Sequence, residues 1–324
     1  VGELFNKLRS GDRIACAKAI SAIENENPGS EELIESLFPF WGRAARIGVT
    51  GAPGTGKSSL VNHFAARIRK DGKTIGIIAV DPSSPFSGGA LLGDRIRMSN
   101  VQLDRGVFIR SLATRGSLGG LAKAADDVAL VFDAFGKDYV IFETVGVGQS
   151  EVDIAQSADT TILVLTPDAG DAVQTLKAGI MEIADIFVIN KSDKPGADRV
   201  AANVRVLLDM EEKTKQPWCP PIVMTVSTDG KGIEELHGAV NAHRAYLERE
   251  GLIKTKREAQ ALRKIRMSVE AAMHARIFSG ASADFVEEQK KAVAAGKCSP
   301  MAAAKLIFER CLNGEKSSGK RRRS

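Results

Sequence analysis

The stretch GAPGTGKS, Gly51 to Ser58, restricts what this chain can fold into more than any other. It sits between an apolar run, ARIGVTG, and an amphipathic stretch from Lys57 to Lys70. The spacing G-x-x-x-x-G-K-[ST] is informative in that strand–loop–helix setting. Glycines let successive backbone N–H groups close around phosphate oxygens, and the following helix N-terminus adds partial positive charge there. Lys57 is placed to reach the β and γ phosphates and Ser58 to ligate Mg²⁺. The loop residues Gly51, Ala52, Pro53, Gly54, Thr55, Gly56, Lys57, Ser58 and Ser59 are therefore the expected phosphate-binding set.

The strand before this loop needs neighbours. KTIGIIAVD, GVFIRS, DYVIFET, TTILVLT, DIFVIN and PPIVMTVS are short, mostly apolar and rich in β-branched residues. Amphipathic stretches separate the runs, among them Lys57–Lys70, Leu121–Phe135, Ala172–Ala184 and Ala197–Lys213. Alternation of this kind predicts an α/β fold of the P-loop NTPase class, with a mostly parallel sheet covered by helices on both faces. Residues 1–40 read as a helical segment, with apolar positions Leu4, Leu8, Ile20, Ile23, Leu33, Ile34 and Leu37, broken by NPGS. Residues 41–250 form the expected nucleotide domain. From 251 to 315 only helical periodicity remains, interrupted near SGAS and GKCSP. The apolar positions Leu262, Ile265, Val269 and Met273 of that arm need cover, from the core or from a second copy. The last nine residues, 316–324, read as a basic disordered tail.

Composition narrows the class. With 44% hydrophobic and 26% charged residues over 324, the chain is globular. Its net charge of +5 comes from that tail, and the rest balances 40 basic against 40 acidic residues. A nucleic-acid-binding face is thus not expected. No apolar run reaches the roughly 18 residues of a membrane span. Cys16, Cys219, Cys298 and Cys311 are widely spaced and form no C-x-x-C, which points to reduced thiols in a cytosol-like compartment and no structural zinc; the expected location is the bacterial cytoplasm.

Three further motifs specify the nucleotide. NKSD, Asn190 to Asp193, ends an apolar run after the phosphate loop. The Asp193 carboxylate can accept from guanine's ring N–H and exocyclic amine, whereas adenine presents an acceptor there. A site built on a buried acceptor discriminates by roughly 10⁴-fold. Asn190, Lys191 and Asp193, with Ser227 and Thr228 from VSTDGKG, are the expected base-binding residues. Thr228 stands where an alanine is more usual. AVDPSSPFSGGALLGDRIRMSN carries Asp81 and Asp94 in a Gly-, Ser- and Pro-rich stretch of the kind that orders around Mg²⁺ and a γ-phosphate. Arg110 and Arg115 could support charge in the transition state or form structural ion pairs.

In ETVGVGQSE, Glu143 leads to Gly146, but Val147 follows, where many GTPases place a water-holding glutamine. An apolar side chain cannot orient water, so slow unaided turnover is expected. A small GTPase works at about 10⁻⁴ s⁻¹ alone and gains roughly 10⁵-fold from a partner. Gln149 could approach the water after a rearrangement, or only pack the loop. Lys57, Glu143 and Gln149 are the candidate catalytic residues, and Ser58, Asp81, Asp94 and Glu143 the candidate metal ligands.

Taken together, GAPGTGKSSL, AVDPSSPFSGGALLGDRIRM, RSLATRGSLGGL, ETVGVGQSE, GDAVQTLKAG and NKSD resemble the ArgK/MeaB/MMAA family of G proteins, over about residues 10 to 275. The resemblance implies a GTPase using GTP, GDP and Mg²⁺. It implies a chaperone that gates adenosylcobalamin delivery to an adenosylcobalamin-dependent acyl-CoA mutase and protects or repairs that enzyme. It also implies a homodimer joined through the C-terminal arm. Asp81 and Asp94 then fall in a first switch and Glu143 to Gly148 in a second. Thr166 to Lys177 falls in a third that faces the mutase, with Asp171 and Lys177 at its polar positions. The client could be a methylmalonyl-, isobutyryl- or hydroxyisobutyryl-CoA mutase. No D-x-H-x-x-G stretch suggests a cobalamin site in this chain itself. The alternatives are a metallochaperone GTPase, which would need a Cys/His cluster, and a kinase of a transport protein, which would need an acceptor pocket with a general base.

Overall fold

The structure, a computed structural model, describes residues 1–81, 101, 103–113, 120–144, 156–168, 183–210, 212, 216–278 and 283–318. Asp94, Arg115, Gln149, Asp171 and Lys177 lie outside the described residues, as do most of the three expected switches and most of the stretch Ala172–Ala184. The chain divides into two compact units, Val1–Gln260 and Ala261–Ser324.

Seven strands form one sheet in the first unit: β1 (Ala45–Thr50), β2 (Ile75–Asp81), β3 (Val107–Ala113), β4 (Tyr139–Thr144), β5 (Thr160–Leu165), β6 (Ile186–Ile189) and β7 (Ile222–Met224). Their order is β3-β2-β4-β1-β5-β6-β7, and every pairing is parallel. Each apolar run named above contributes one of these strands.

Because side chains alternate across a strand, each buried strand feeds two cores. One face carries Ile47, Val49, Ile75, Ile77, Ile141, Ile162, Val164, Ile186 and Val188, and packs on α4 (Lys57–Lys70) and α7 (Ile233–Arg249). The opposite face is covered in two halves. Leu163, Leu165, Phe187 and Ile189 meet α6 (Ala197–Met210). Ile78, Val80, Val140 and Phe142 meet α5 (Gly120–Phe135) and the N-terminal helices α1 (Gly2–Arg9), α2 (Arg13–Glu24) and α3 (Ser30–Leu37). The N-terminal segment therefore joins the sheet's own core. Leu8, Ile20, Ile23, Leu33 and Leu37 are buried there, and Leu4 and Ile34 half-buried. Asp12 caps α2, its carboxylate accepting from the backbone N–H of Ile14 (2.7 Å) and Ala15 (3.2 Å).

Arg110 on β3 turns to α2. Its guanidinium meets the Glu24 carboxylate at both oxygens and lies 3.2 Å from the Ser21 hydroxyl. Of the two roles open to it, the ion pair holding α2 to the sheet edge is the one occupied.

Helix α8 (Leu252–Phe278) leaves the first unit. Before it does so, Arg257 pairs with Asp159 at 2.8 Å and Lys256 donates to the Asp159 carbonyl at 2.6 Å. The second unit continues with α9 (Ala283–Ala294) and α10 (Pro300–Ser318), the Arg310 guanidinium lying 4.2 Å over the Phe285 ring. Helix α8 ends at Phe278, just before SGAS, and α9 at Ala294, just before GKCSP. Leu262, Ile265, Val269 and Met273 are all exposed in the single chain. Among the described residues no helix is long and apolar enough to cross a membrane.

Candidate nucleotide site

All strands point the same way, so the segments that follow them gather along one edge of the sheet, where open α/β folds bind ligands. The loop Gly51–Gly56 leaves β1 there and enters α4 at Lys57. Two of its glycines are required by what lies behind them. Gly51 has φ +144°, and a Cβ there would stand 2.2 Å from the Val164 carbonyl oxygen of β5. Gly56 has φ +88°, and a Cβ there would stand 2.5 Å from the Asn190 amide nitrogen. The loop is thus pressed against its neighbours on both sides.

Lys57 is only 5% exposed. Its ammonium donates to the carbonyls of Gly51 (2.5 Å) and Ala52 (2.9 Å), so it is held inside the cradle. Ser58 follows on the first turn of α4 and its hydroxyl donates to the Glu143 carboxylate. Glu143 lies near the C-terminal end of β4, directly beside Val49 of β1, and is 3% exposed. Alongside, the hydroxyls of Thr144 and Thr50 are 3.2 Å apart. Two residues from distant parts of the sequence thereby present oxygen donors together at the mouth of the loop. Hard oxygen donors of this kind suit Mg²⁺, which is usually held by one or two side chains plus phosphates. Asp81 closes β2 on the same edge of the sheet.

Asn190 is the hub of the other half of the site. It is fully buried, at 0% exposure. Its amide nitrogen donates to the Thr55 carbonyl of the phosphate loop (2.7 Å) and lies 3.0 Å from the Ser227 hydroxyl. Its amide oxygen accepts from the Thr225 hydroxyl (3.1 Å) and the Ser227 backbone N–H (3.0 Å). One side chain thus ties the phosphate loop to the loop after β7. That loop is pinned by the antiparallel bridge between Val226 and Lys231. Thr228 is exposed there, and its hydroxyl donates to Asp229 at 2.9 Å. Asp193 is exposed on the segment after β6, while Lys191 holds a positive φ of +56°.

Two participants, Thr225 and Asp168, are not among the site residues that the sequence singles out. Thr225 acts through the Asn190 amide. Asp168, within the expected third switch, lies 2.5 Å from the Lys194 ammonium and 3.7 Å from that of Lys191. The hydrogen bond from Lys194 holds the Asp168 carboxyl below its usual range. These contacts join residues far apart in the chain, so no spacing rule reveals them.

Comparison with known proteins agrees with this geometry. A family model described as methylmalonyl Co-A mutase-associated GTPase MeaB matches residues 16–282. A protein of Pyrococcus abyssi is 46% identical over 316 residues, covering 97% of this chain and 98% of its own. GTPase ArgK of Escherichia coli is 32% identical, covering 95% of this chain and 96% of its own. The mouse mitochondrial methylmalonic aciduria type A homolog is 32% identical over 80% of this chain and 67% of its own. A crystal structure described as LAO/AO transport system kinase superposes with a TM-score of 0.67 at 28% identity, covering 95% of this chain and 96% of the other. With the phosphate loop, the Ser58–Glu143 pair and the Asn190 hub on one edge of a parallel sheet, the chain belongs to the MeaB family of methylmalonyl-CoA mutase-associated GTPases.

Proposed function

We propose that this GTPase is a molecular chaperone whose nucleotide state is read by an adenosylcobalamin-dependent acyl-CoA mutase, gating delivery of the cofactor and protecting or repairing the enzyme. The observation that supports it most is the assembly of phosphate loop, Glu143 and Asn190 on one edge, with Asp168 of the third switch tethered to the base loop. A partner that touches the third switch would therefore act on residues beside the nucleotide. The printed family description and the mouse relative's name point toward a methylmalonyl-CoA mutase as client.

In this reading Lys57 leaves the loop carbonyls for the β and γ phosphates, while the backbone of residues 51–56 and the start of α4 hold the remaining oxygens. Ser58 and Glu143 would hold Mg²⁺, which when bound neutralises phosphate charge. Asp81 and Asp94 are proposed to complete that sphere. Asn190 keeps the two loops in register, and Lys191, Asp193, Ser227 and Thr228 surround guanine. Gln149 is proposed to position water once the partner reorders the second switch, since Val147 cannot. Asp171 and Lys177 are proposed to meet the mutase. A homodimer forms through the exposed Leu262–Met273 stripe of the arm.

Single-turnover hydrolysis with and without a purified mutase tests this. Slow release of phosphate alone and acceleration by the mutase are expected. Turnover at many per second in the free protein would remove the case for partner gating. Competition of GTP binding by ATP separates the kinase reading: ATP should compete only weakly, and Asp193→Asn should weaken GTP while favouring the xanthine nucleotide.

A further inference from the structure

The opposite edge of the sheet, where the strands begin, holds a cavity of ≈ 360 Å³. It falls within the roughly 300–1,000 Å³ of small-molecule sites. Arg43 precedes β1, Lys73 precedes β2, and the turn Gly136–Asp138 leads into Tyr139 of β4. Tyr139 pairs in register with Ala45 and Ile75, so these three strand starts form one wall. Arg9 from α1 and Arg244 from α7 complete the lining. Five steps along β4, at about 3.3 Å each, separate this edge from Thr144 by about 17 Å. The cavity is therefore distinct from the nucleotide site.

Its charge is lopsided. Arg9, Arg43, Lys73, Lys137 and Arg244 line it against only Asp133 and Asp138. Asp133 is already committed, accepting from Arg46 (2.9 Å) and from the backbone N–H of Gly42 (2.9 Å) and Ala44 (2.8 Å). Asp138 accepts from the Thr74 N–H (2.7 Å) and hydroxyl (2.8 Å), with Lys73 at 3.5 Å. Among the described residues no ion pair involves Arg9, Arg43 or Lys137, although Arg9 donates to the Ala134 carbonyl and Lys137 to the Gly106 carbonyl (2.9 Å), while Arg244 pairs with Glu248 (2.9 Å). Yet the fold brings Arg9 and Arg43 together: both guanidiniums lie over the Phe40 ring, at 4.1 Å and 4.5 Å from its centroid. Each ring contact is attractive by itself and Arg9 has the Ala134 carbonyl as well, but among the described residues no carboxylate pairs with either guanidinium. Lys137, held down to about 8 by burial and then by Arg13, remains mostly protonated at neutral pH.

We infer that this cavity is a second ligand site, for a small molecule bearing a phosphate group. Planar guanidinium forks match the oxygens of phosphate in paired hydrogen bonds. The contacts with Phe40 hold both guanidiniums beside the cavity, and each keeps N–H groups to donate beyond the one that Arg9 gives to Ala134. The remaining volume beside Tyr139 takes the organic part of a phosphate ester, or stays hydrated around free phosphate.

The test is calorimetric titration of the full chain saturated with GDP and Mg²⁺, so that the phosphate loop is occupied. The probes are inorganic phosphate and ribose 5-phosphate. One further site per chain is expected, weakened tenfold or more by Arg43→Glu and by Arg9→Gln. Arg43 is exposed and outside the nucleotide site, so GDP affinity in R43E should stay at the wild-type value and report an intact fold. Should R43E fail that check, Arg43→Gln replaces it. Stronger binding of ribose 5-phosphate identifies an ester as the ligand class, and equal binding identifies free phosphate. Absence of a saturable event beyond GDP, or binding unchanged in both arginine variants, overturns the inference.

Discussion

Replacing Asn190 by alanine should damage stability and nucleotide affinity together. The side chain makes four hydrogen bonds in a fully buried setting, to Thr55, Ser227 twice and Thr225. Alanine leaves the Thr55 carbonyl and the Ser227 N–H without these partners, and each buried orphan costs about 1–3 kcal/mol. The two hydroxyls can turn to other acceptors, so they add little. A total loss of about 3 kcal/mol follows. For a domain of this size each kcal/mol moves Tm by roughly 2–4 °C, so a drop of roughly 6–12 °C is expected in thermal denaturation without nucleotide. The same change frees the phosphate loop from the loop after β7. Fluorescent GDP binding should then weaken by roughly 10–100-fold, since every 1.4 kcal/mol is tenfold. Asn190→Asp should be at least as harmful, because a carboxylate would face the Thr55 carbonyl. If Asn190→Ala shifted Tm by under about 2 °C and left GDP affinity within about twofold, the hub role would be refuted.

Other outcomes follow from the same structure. Burial pushes His243 down to about 4 despite the nearby Asp185, so the unfolded chain binds this proton more readily than the folded one. Stability from this group is full above about pH 6.5 and is lost as pH falls towards 4, by on the order of 2–3 kcal/mol; Tm measured from pH 7 to 5 should fall more steeply in wild type than in His243→Asn. Arg46 and Asp133 form a pair that is 1% and 0% exposed, and Arg46→Ala should cost about 3–5 kcal/mol in denaturant unfolding by stranding the carboxylate. Gly51→Ala should abolish GTP binding, because its Cβ would meet a backbone oxygen at 2.2 Å that cannot move without displacing β5. Val269→Glu should turn a dimer into a monomer in sedimentation while leaving GTP binding unchanged; a monomeric wild type would remove the arm from the assembly. Cys16, buried and pushed up to about 12, should resist thiol reagents in the native protein while the exposed Cys219 reacts.

Much of this architecture is legible in the sequence alone. The seven strands follow from short β-branched runs, and α4 begins and ends at Lys57 and Lys70 as its pattern predicts. The phosphate loop and NKSD are equally plain, because each performs its chemistry with adjacent residues. Ser58 and Glu143 belong to separate motifs and meet in the structure. Periodicity also shows that residues 1–40 are helical, but not that they cover one half of a sheet face.

What only the tertiary structure decided is everything that depends on partners distant along the chain. Arg110 could have served the nucleotide; it is bound instead to Glu24. Asn190 reads as part of a base motif and turns out to fasten two loops across the site. Arg9 and Arg43 look like ordinary surface charges until the fold stacks both on Phe40 beside a cavity. Local motifs are written in consecutive residues because backbone geometry is local. Charge compensation and shape are sums over neighbours in space, and the order of strands across the sheet selects those neighbours.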